Sequence, residues 1–346
     1  MKSSSNTPDY NKLDELVKLY PRIMLLIDEY SMISNTLLNT LNDSLIRTTN
    51  RCVGMGGIKT LFFGDIAQLL PIKMDEGPIW ESAIYNHAPK YSLHTSVRQV
   101  DSELITVLNK VRICEFDEEV IKFINKRTIL KKQIPMKCLR LYTTRLNVDK
   151  ANTKDFEDLE GEPVTYSSHD SYNENAKKTA MKILRKETRL PKDLILKLGM
   201  PVMLIQNLNI PKGWVNGTIA TIDEMDEENI CLKKSENEDC IWIQRISRTI
   251  PGTSYVRSQF PIVPAFATTI HKAQSLTIDA VAIHLDNMLS HGQMYVAMSR
   301  VRKTEDLFFF GSELPLAIKR KFGLNLDAID IVEYYDSKRP KNDKED

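Results

Sequence analysis

The sequence predicts an α/β protein with a small β-barrel inserted into it, and three observations lead there. An apolar run, Ile23-Met24-Leu25-Leu26-Ile27, ends in Asp28-Glu29. Past residue 190 the character changes to short β-like segments, Leu194 to Leu198, Val202 to Ile205, Thr218 to Ile222 and Ile241 to Ile243, punctuated by Gly199, Pro211, Gly213 and Gly217. After residue 260 the chain returns to α/β alternation, with Ala280 to Ile283 and Leu307 to Phe310 as strands flanking a helix near Gly292 to Val301.

The first apolar run predicts a strand buried on both faces, as in a parallel sheet covered by helices. Leu37, Leu38, Leu41, Leu45 and Ile46 then recur at helical spacing and predict a crossover helix over Thr36 to Asn50. A second strand, Leu61-Phe62-Phe63, ends in Gly64-Asp65 and leads to Gln68. Ligands of open α/β sheets bind at the carboxyl ends of the strands, so Asp28, Glu29 and Gln68 are expected in one crevice. Further on, Leu104, Ile105, Leu108 and Val111 share a helix face behind Asp101, a suitable N-cap. Leu139 to Tyr142 reads as a strand running into another helix.

Residues 54–60, GMGGIKT, invite comparison with a phosphate-binding loop, whose spacing is G-x-x-x-x-G-K-[ST]. Ile58 separates Gly57 from Lys59, and an apolar run follows where such a loop opens a helix. The stretch therefore predicts a turn ahead of a strand.

With 346 residues there is room for about two cores. A formal net charge of +1 means that any nucleic-acid contact must come from a local groove. The five cysteines include no CxxC pair and read as reduced thiols, with neither a zinc site nor a disulfide framework expected. No histidine pair has metal-ligand spacing, and neither a membrane span nor a signal peptide is expected.

An apolar strand followed by Asp-Glu is the arrangement by which nucleotide hydrolases hold Mg²⁺ and polarise water. Beyond that pair, six segments occur in order. LLIDEYSM, FFGDIAQLLPI and SVRQVDSELITVLNKVR resemble motifs II, III and IV of the Pif-one (petite integration frequency) helicases, relatives of RecD within superfamily one. LKLGMPVMLIQNLNIPKGWVNGTIATI resembles the segment these helicases place in or beside an inserted small barrel. FATTIHKAQSLTIDAVAIHL and HGQMYVAMSRVR are similar to motifs V and VI. The likeness covers roughly residues 20–312.

The resemblance implies two RecA-like parallel-sheet domains, the first incomplete. The expected bounds are 1–90 for the partial first domain, 91–189 and 256–330 for the second, 190–255 for the barrel and 331–346 for a flexible tail. It also implies an ATP-dependent 5′-to-3′ DNA helicase of repair, recombination or telomere maintenance. Asp28 would hold Mg²⁺, Glu29 would activate the attacking water, and Gln68 would sense the γ-phosphate. Arg98 and Arg300 would be arginine fingers. Thr269, His271, Lys272 and Gln274 would contact single-stranded DNA, and Ser275 stands where the family has glycine. ATP and Mg²⁺ are the implied cofactors, and single strands and DNA junctions the implied partners. A monomer is expected, in the nucleus, with mitochondrion and cytoplasm as alternatives.

In the family a phosphate loop precedes motif II, whereas the 27 residues before Asp28 contain no glycine. Without the strand that carries that loop, the sheet around Ile23 to Ile27 is expected to be exposed. Two readings follow: a truncated helicase, or a catalytically inactive DNA-binding remnant, as from a mobile element. On either, these 346 residues alone are expected to hydrolyse ATP negligibly. A metabolic nucleotide-dependent enzyme is a third reading, for which no small-molecule site is visible.

Overall fold

A computed structural model describes residues 15–337, apart from 18, 21, 73–75, 94, 137, 173–179, 185–189, 235–238, 251–252, 287, 289 and 315–325. It shows α/β layers around parallel sheets, with an antiparallel β body inserted between segments of the second sheet.

In the first layer, β1 (Met24–Ile27) pairs in parallel with β2 (Lys59–Phe62). The crossover between them is α1 (Asn35–Thr49), capped by Ser34, whose side chain accepts from the Leu37 N–H. Leu25, Ile27 and Phe62 face Leu38 and Leu45 of α1. On the opposite face Met24, Leu26 and Phe63 are 46%, 58% and 48% exposed. The expectation of a strand buried on both faces is therefore corrected: an apolar run alone does not show how many layers cover it, and among the described residues only one face of this pair packs. The GMGG stretch is a turn ahead of β2. Met55 donates its N–H to Asn42 Oδ1 at 2.8 Å, and a Cβ on Gly56, at φ +59°, would lie 2.5 Å from Leu45 O. The turn thus folds back against α1. Next come a short helix α2 (Ala83–His87) and an extended stretch.

The second layer begins with α3 (Ser102–Arg112) and α4 (Glu118–Lys126), capped by Asp101 and Asp117. Four parallel strands stand in the order β14-β3-β15-β16, with β3 at Leu139–Tyr142, β14 at Ala267–Thr269, β15 at Val281–His284 and β16 at Leu307–Phe310. Leu104, Leu108, Ile121 and Ile124 cover one side together with Leu141, Ile283 and Phe309. Ala151 of α5 (Arg145–Asp158) packs on the other, beside Tyr142, Ala267 and Ala282.

The inserted body is wider than the 190–255 read from the sequence. It runs from β4 (Val164–Ser167) and β5 (His169–Ser171), through β6 (Asp193–Leu196), β7 (Pro201–Leu204), β8 (Ile219–Met225), β9 (Ile230–Lys233), β10 (Cys240–Ile243) and β11 (Ile246–Thr249), to β12 (Val256–Gln259) and β13 (Ile262–Pro264). Its sheets are β10-β9-β8-β7-β13, β11-β12-β5 and β4-β6. Their shared core includes Tyr166, Leu196, Val202, Leu232, Phe260 and Ile262, so flanking strands and insertion bury one another.

The expected tail, 331–346, is corrected over 331–337, while 338–346 lie outside the described residues. Leu326–Ser337 forms a helix, α8, whose buried Ala328 and Val332 join the cluster of Ile27, Leu38 and Leu45. Burial of that apolar stripe supplies the reason for order. No helix among the described residues is long and apolar enough to cross a membrane.

Candidate functional site

The carboxyl ends of β1 and β2 are stitched by a bond from the Tyr30 N–H to Phe63 O at 3.0 Å. Gly64, at φ +152°, lets them approach: a Cβ there would lie 2.8 Å from Tyr30 N. Just before Tyr30, Glu29 adopts φ 51°, ψ 47°, and its N–H donates to Asp28 Oδ1 at 2.9 Å. A left-handed non-glycine residue stores about 1–3 kcal/mol. In return Asp28 points to solvent while Glu29 is half-buried toward the second layer.

What meets it is the segment after α6 (Ile270–Ala273), the short helix that follows β14. Gln274 Nε2 donates to Glu29 Oε2 at 2.8 Å and reaches Gln68 Oε1 at 3.5 Å. The Ser275 hydroxyl donates to Glu29 Oε1 at 2.5 Å, so both carboxylate oxygens are held. The next two residues receive the arginines: Leu276 O accepts from Arg300 Nη1 at 3.4 Å, and Thr277 Oγ1 accepts from Arg98 Nε at 3.1 Å. Arg98 also donates to Ser299 O at 2.9 Å. Gln99 Nε2 donates to Ser299 O and Val301 O, both at 3.0 Å. Residues 274–277 thus link Glu29 and Gln68 to Arg98 and Arg300.

Arg300 is 2% exposed, held by Val296 O and Ser299 Oγ, each at 2.7 Å. Among the described residues no carboxylate lies within salt-bridge distance of Arg98 or Arg300. Burial pulls the Arg300 guanidinium down to about 10, and Arg98 pushes the same way against Glu29 and Tyr295. Arg98 is lowered too, by burial first, with Tyr295 and Glu29 opposing. Arg300 therefore remains charged at neutral pH. Two desolvated guanidiniums without a carboxylate mate make a field suited to an anion.

The Gln68 loop is held from behind. Asp65 accepts from the Ala67 N–H and pairs with Arg112, whose Nη2 lies 3.1 Å from Oδ1. Burial, then the Asp65 charge, raise the Tyr295 phenol, keeping it protonated. Just before α7 (Gln293–Met298), Gly292 has φ +72°, and a Cβ there would lie 2.4 Å from Gln68 O. Gly292→Ala is therefore expected to cost roughly 1–3 kcal/mol, from backbone strain and from the clash with Gln68. Urea unfolding checks this, and an unchanged midpoint would show that the two loops do not depend on one another.

The other expected site residues are spread out. Thr269 is 6% exposed and caps α6 by accepting from the Lys272 N–H at 3.3 Å. His271 is half-buried, its imidazole lowered by burial and by Arg145, so it is neutral at pH 7. Lys272 is exposed. Gln274, 7% exposed, faces the carboxylate crevice instead of the surface. Gln99, Ser275, Thr277 and Ser299 were not among the expected site residues. Gln99, Thr277 and Ser299 lie inside the motif-like segments, and Ser275 stood out as a side chain in glycine's place, with a φ of 66° that glycine adopts without strain.

Gln274 Oε1 is buried without a hydrogen-bond partner, an orphan acceptor at the crevice. With the exposed Asp28 carboxylate, a hard oxygen donor, and the two arginines, this set fits a polyphosphate carrying a divalent cation.

The family profile described as DNA helicase Pif1, 2B domain, matches residues 186–225. The ATP-dependent DNA helicase Pif1 of Bdellovibrio bacteriovorus is 28% identical over 298 residues, covering 83% of this chain and 66% of that protein. The human ATP-dependent DNA helicase PIF1 is 28% identical over 306 residues, covering 85% of this chain and 47% of that one. The chain thus spans less than two thirds of these relatives, about half of the human protein. Among solved structures, Pif1 helicase from Candida albicans aligns with a TM-score of 0.74 at 24% identity, over 95% of this chain and 82% of that one. A Pif1 from Bacteroides sp in complex with ADP-AlF4 aligns with a TM-score of 0.74 at 22% identity, over 97% and 80%.

Proposed function

Taking this chain as a relative of the Pif1 helicases, we propose that it supplies the hydrolytic crevice and DNA groove of an ATP-dependent DNA helicase that moves 5′ to 3′. The observation that carries the proposal is the 274–277 segment, which joins Glu29 and Gln68 of one layer to Arg98 and Arg300 of the other. A motor needs such a joint, because nucleotide chemistry must be felt between two bodies.

Asp28 is the residue to hold Mg²⁺, which when bound neutralises phosphate charge. Glu29 accepts the proton of the attacking water, and Gln68 orients the same region. Arg98 and Arg300 oppose the charge that builds as the terminal phosphoryl group departs. Exposed Lys272 meets DNA phosphates, with Thr269 shaping its turn and His271 beside it. Gln274 reports between strand and nucleotide. Repair, recombination and telomere maintenance are the settings proposed, with the nucleus as the address.

The test is made on the protein as its gene encodes it, with and without single-stranded DNA. ATP hydrolysis is expected to rise with the DNA, and a forked duplex with a 5′ single-stranded arm is expected to be unwound. Hydrolysis indifferent to DNA would overturn the motor. For this chain, the logarithm of oligonucleotide affinity should fall linearly with the logarithm of salt concentration, since the groove reads phosphates. Salt-independent binding would remove the groove from the proposal.

A further inference from the structure

Far from the crevice, three metal-ligating side chains converge on the inserted body. A carboxylate oxygen of Asp223, the Sγ of Cys231 and the Sγ of Cys240 all lie within 4.8 Å of one another. They come from three adjacent strands, β8, β9 and β10.

The backbone explains the convergence. Ile230 and Leu232 face the core, so alternation turns Cys231 to the opposite side of the sheet. In register, Cys240 stands opposite Lys233 and Trp242 opposite Cys231, which puts both cysteines on that side. Pairing of β8 with β9 shifts between Ile222 and Glu224, making Asp223 the extra residue of a bulge. A bulge re-aims its side chain, and here the carboxylate joins the two thiols. Cys231 is only 4% exposed although it lies off the core face, whereas Asp223 and Cys240 are exposed and able to adjust.

We infer that Asp223, Cys231 and Cys240 form a binding site for a thiophilic divalent cation of the zinc class, with water completing the coordination. Zinc–sulfur bonds of about 2.3 Å and zinc–oxygen bonds of about 2.0–2.2 Å place tetrahedral ligand atoms roughly 3.3–3.8 Å apart. The two exposed side chains need to close by only about 1 Å. The ligand softness also fits, since two thiolates exclude magnesium and calcium. From the sequence no zinc site is expected, since the cysteines include no CxxC pair. Ligands on three strands leave no such spacing to find.

The test is titration of the full chain with Co²⁺ under a non-thiol reductant. One equivalent should bind with a thiolate-to-metal charge-transfer band. That band should vanish in Cys240→Ser and weaken about tenfold in affinity in Asp223→Asn. Absence of the band, or its persistence in both variants, overturns the site. A second measurement needs no variant: Zn²⁺ should slow alkylation of Cys240 while leaving Cys52, also exposed, reactive. Equal protection of both, or of neither, speaks against the site.

Discussion

Arg257→Ala is expected to cost about 3–5 kcal/mol of stability, enough to unfold the inserted body. Arg257 is 1% exposed in β12, opposite Asp170 of β5, and grips both carboxylate oxygens at 2.7 and 2.6 Å. Its third contact goes to Leu190 O at 3.1 Å. Truncation therefore leaves a nearly buried carboxylate and a carbonyl without their donor.

The pH dependence follows in sign. Burial alone would raise the Asp170 carboxyl, but Arg257 and Ser168 outweigh it and hold the group below its ordinary value. A depressed carboxyl contributes stability above its unfolded value, near pH 4, that is lost as pH falls through the folded value. In Arg257→Ala only the Ser168 hydroxyl and the Lys192 charge are left to oppose burial. The deficit of the variant against the parent should then be largest at neutral pH and shrink below pH about 4. Urea titrations across that range measure it. A loss under about 1 kcal/mol at pH 7 would show the pair to be ornamental. The double change Asp170→Leu with Arg257→Met should regain most of the loss.

The second large effect is chemical. In the protein as its gene encodes it, Glu29→Gln should leave nucleotide binding intact and lower turnover by about 10²–10⁴. The amide keeps the size of the side chain and one acceptor for Gln274, while losing the ability to take a proton from water. Steady-state ATP hydrolysis beside binding of a fluorescent nucleotide separates the two. Turnover within a factor of about two of the parent would remove Glu29 from the mechanism.

Much of the crevice was legible because it follows from local rules. Asp28, Glu29 and Gln68 stand just past strands that the apolar runs marked, and strand ends are where such sheets present ligands. Asp101 was read as a cap and is one. The GMGG turn failed the phosphate-loop spacing and forms a turn against α1. Less visible were contacts whose partners lie far apart along the chain. Gln274 was read as a DNA contact, yet it bonds Glu29 across 245 residues. Ser275 was noted as an anomaly, but nothing local shows that its hydroxyl holds a carboxylate in exchange for a strained backbone. The breadth of the β body and the helix at 326–337 were missed for one reason: burial against distant segments orders them.

By itself the sequence determined the alternation of elements, the turn chemistry, and which carboxylates and guanidiniums stand at strand and helix ends. These depend on residues a few positions apart, where periodicity and capping act directly. Tertiary structure alone decided that Glu29 shares its oxygens with Gln274 and Ser275, that Arg300 is buried with no carboxylate mate among the described residues, and that two cysteines and an aspartate meet on one sheet. Such meetings are made by packing free energy summed over many side chains, and no short stretch of sequence carries that sum.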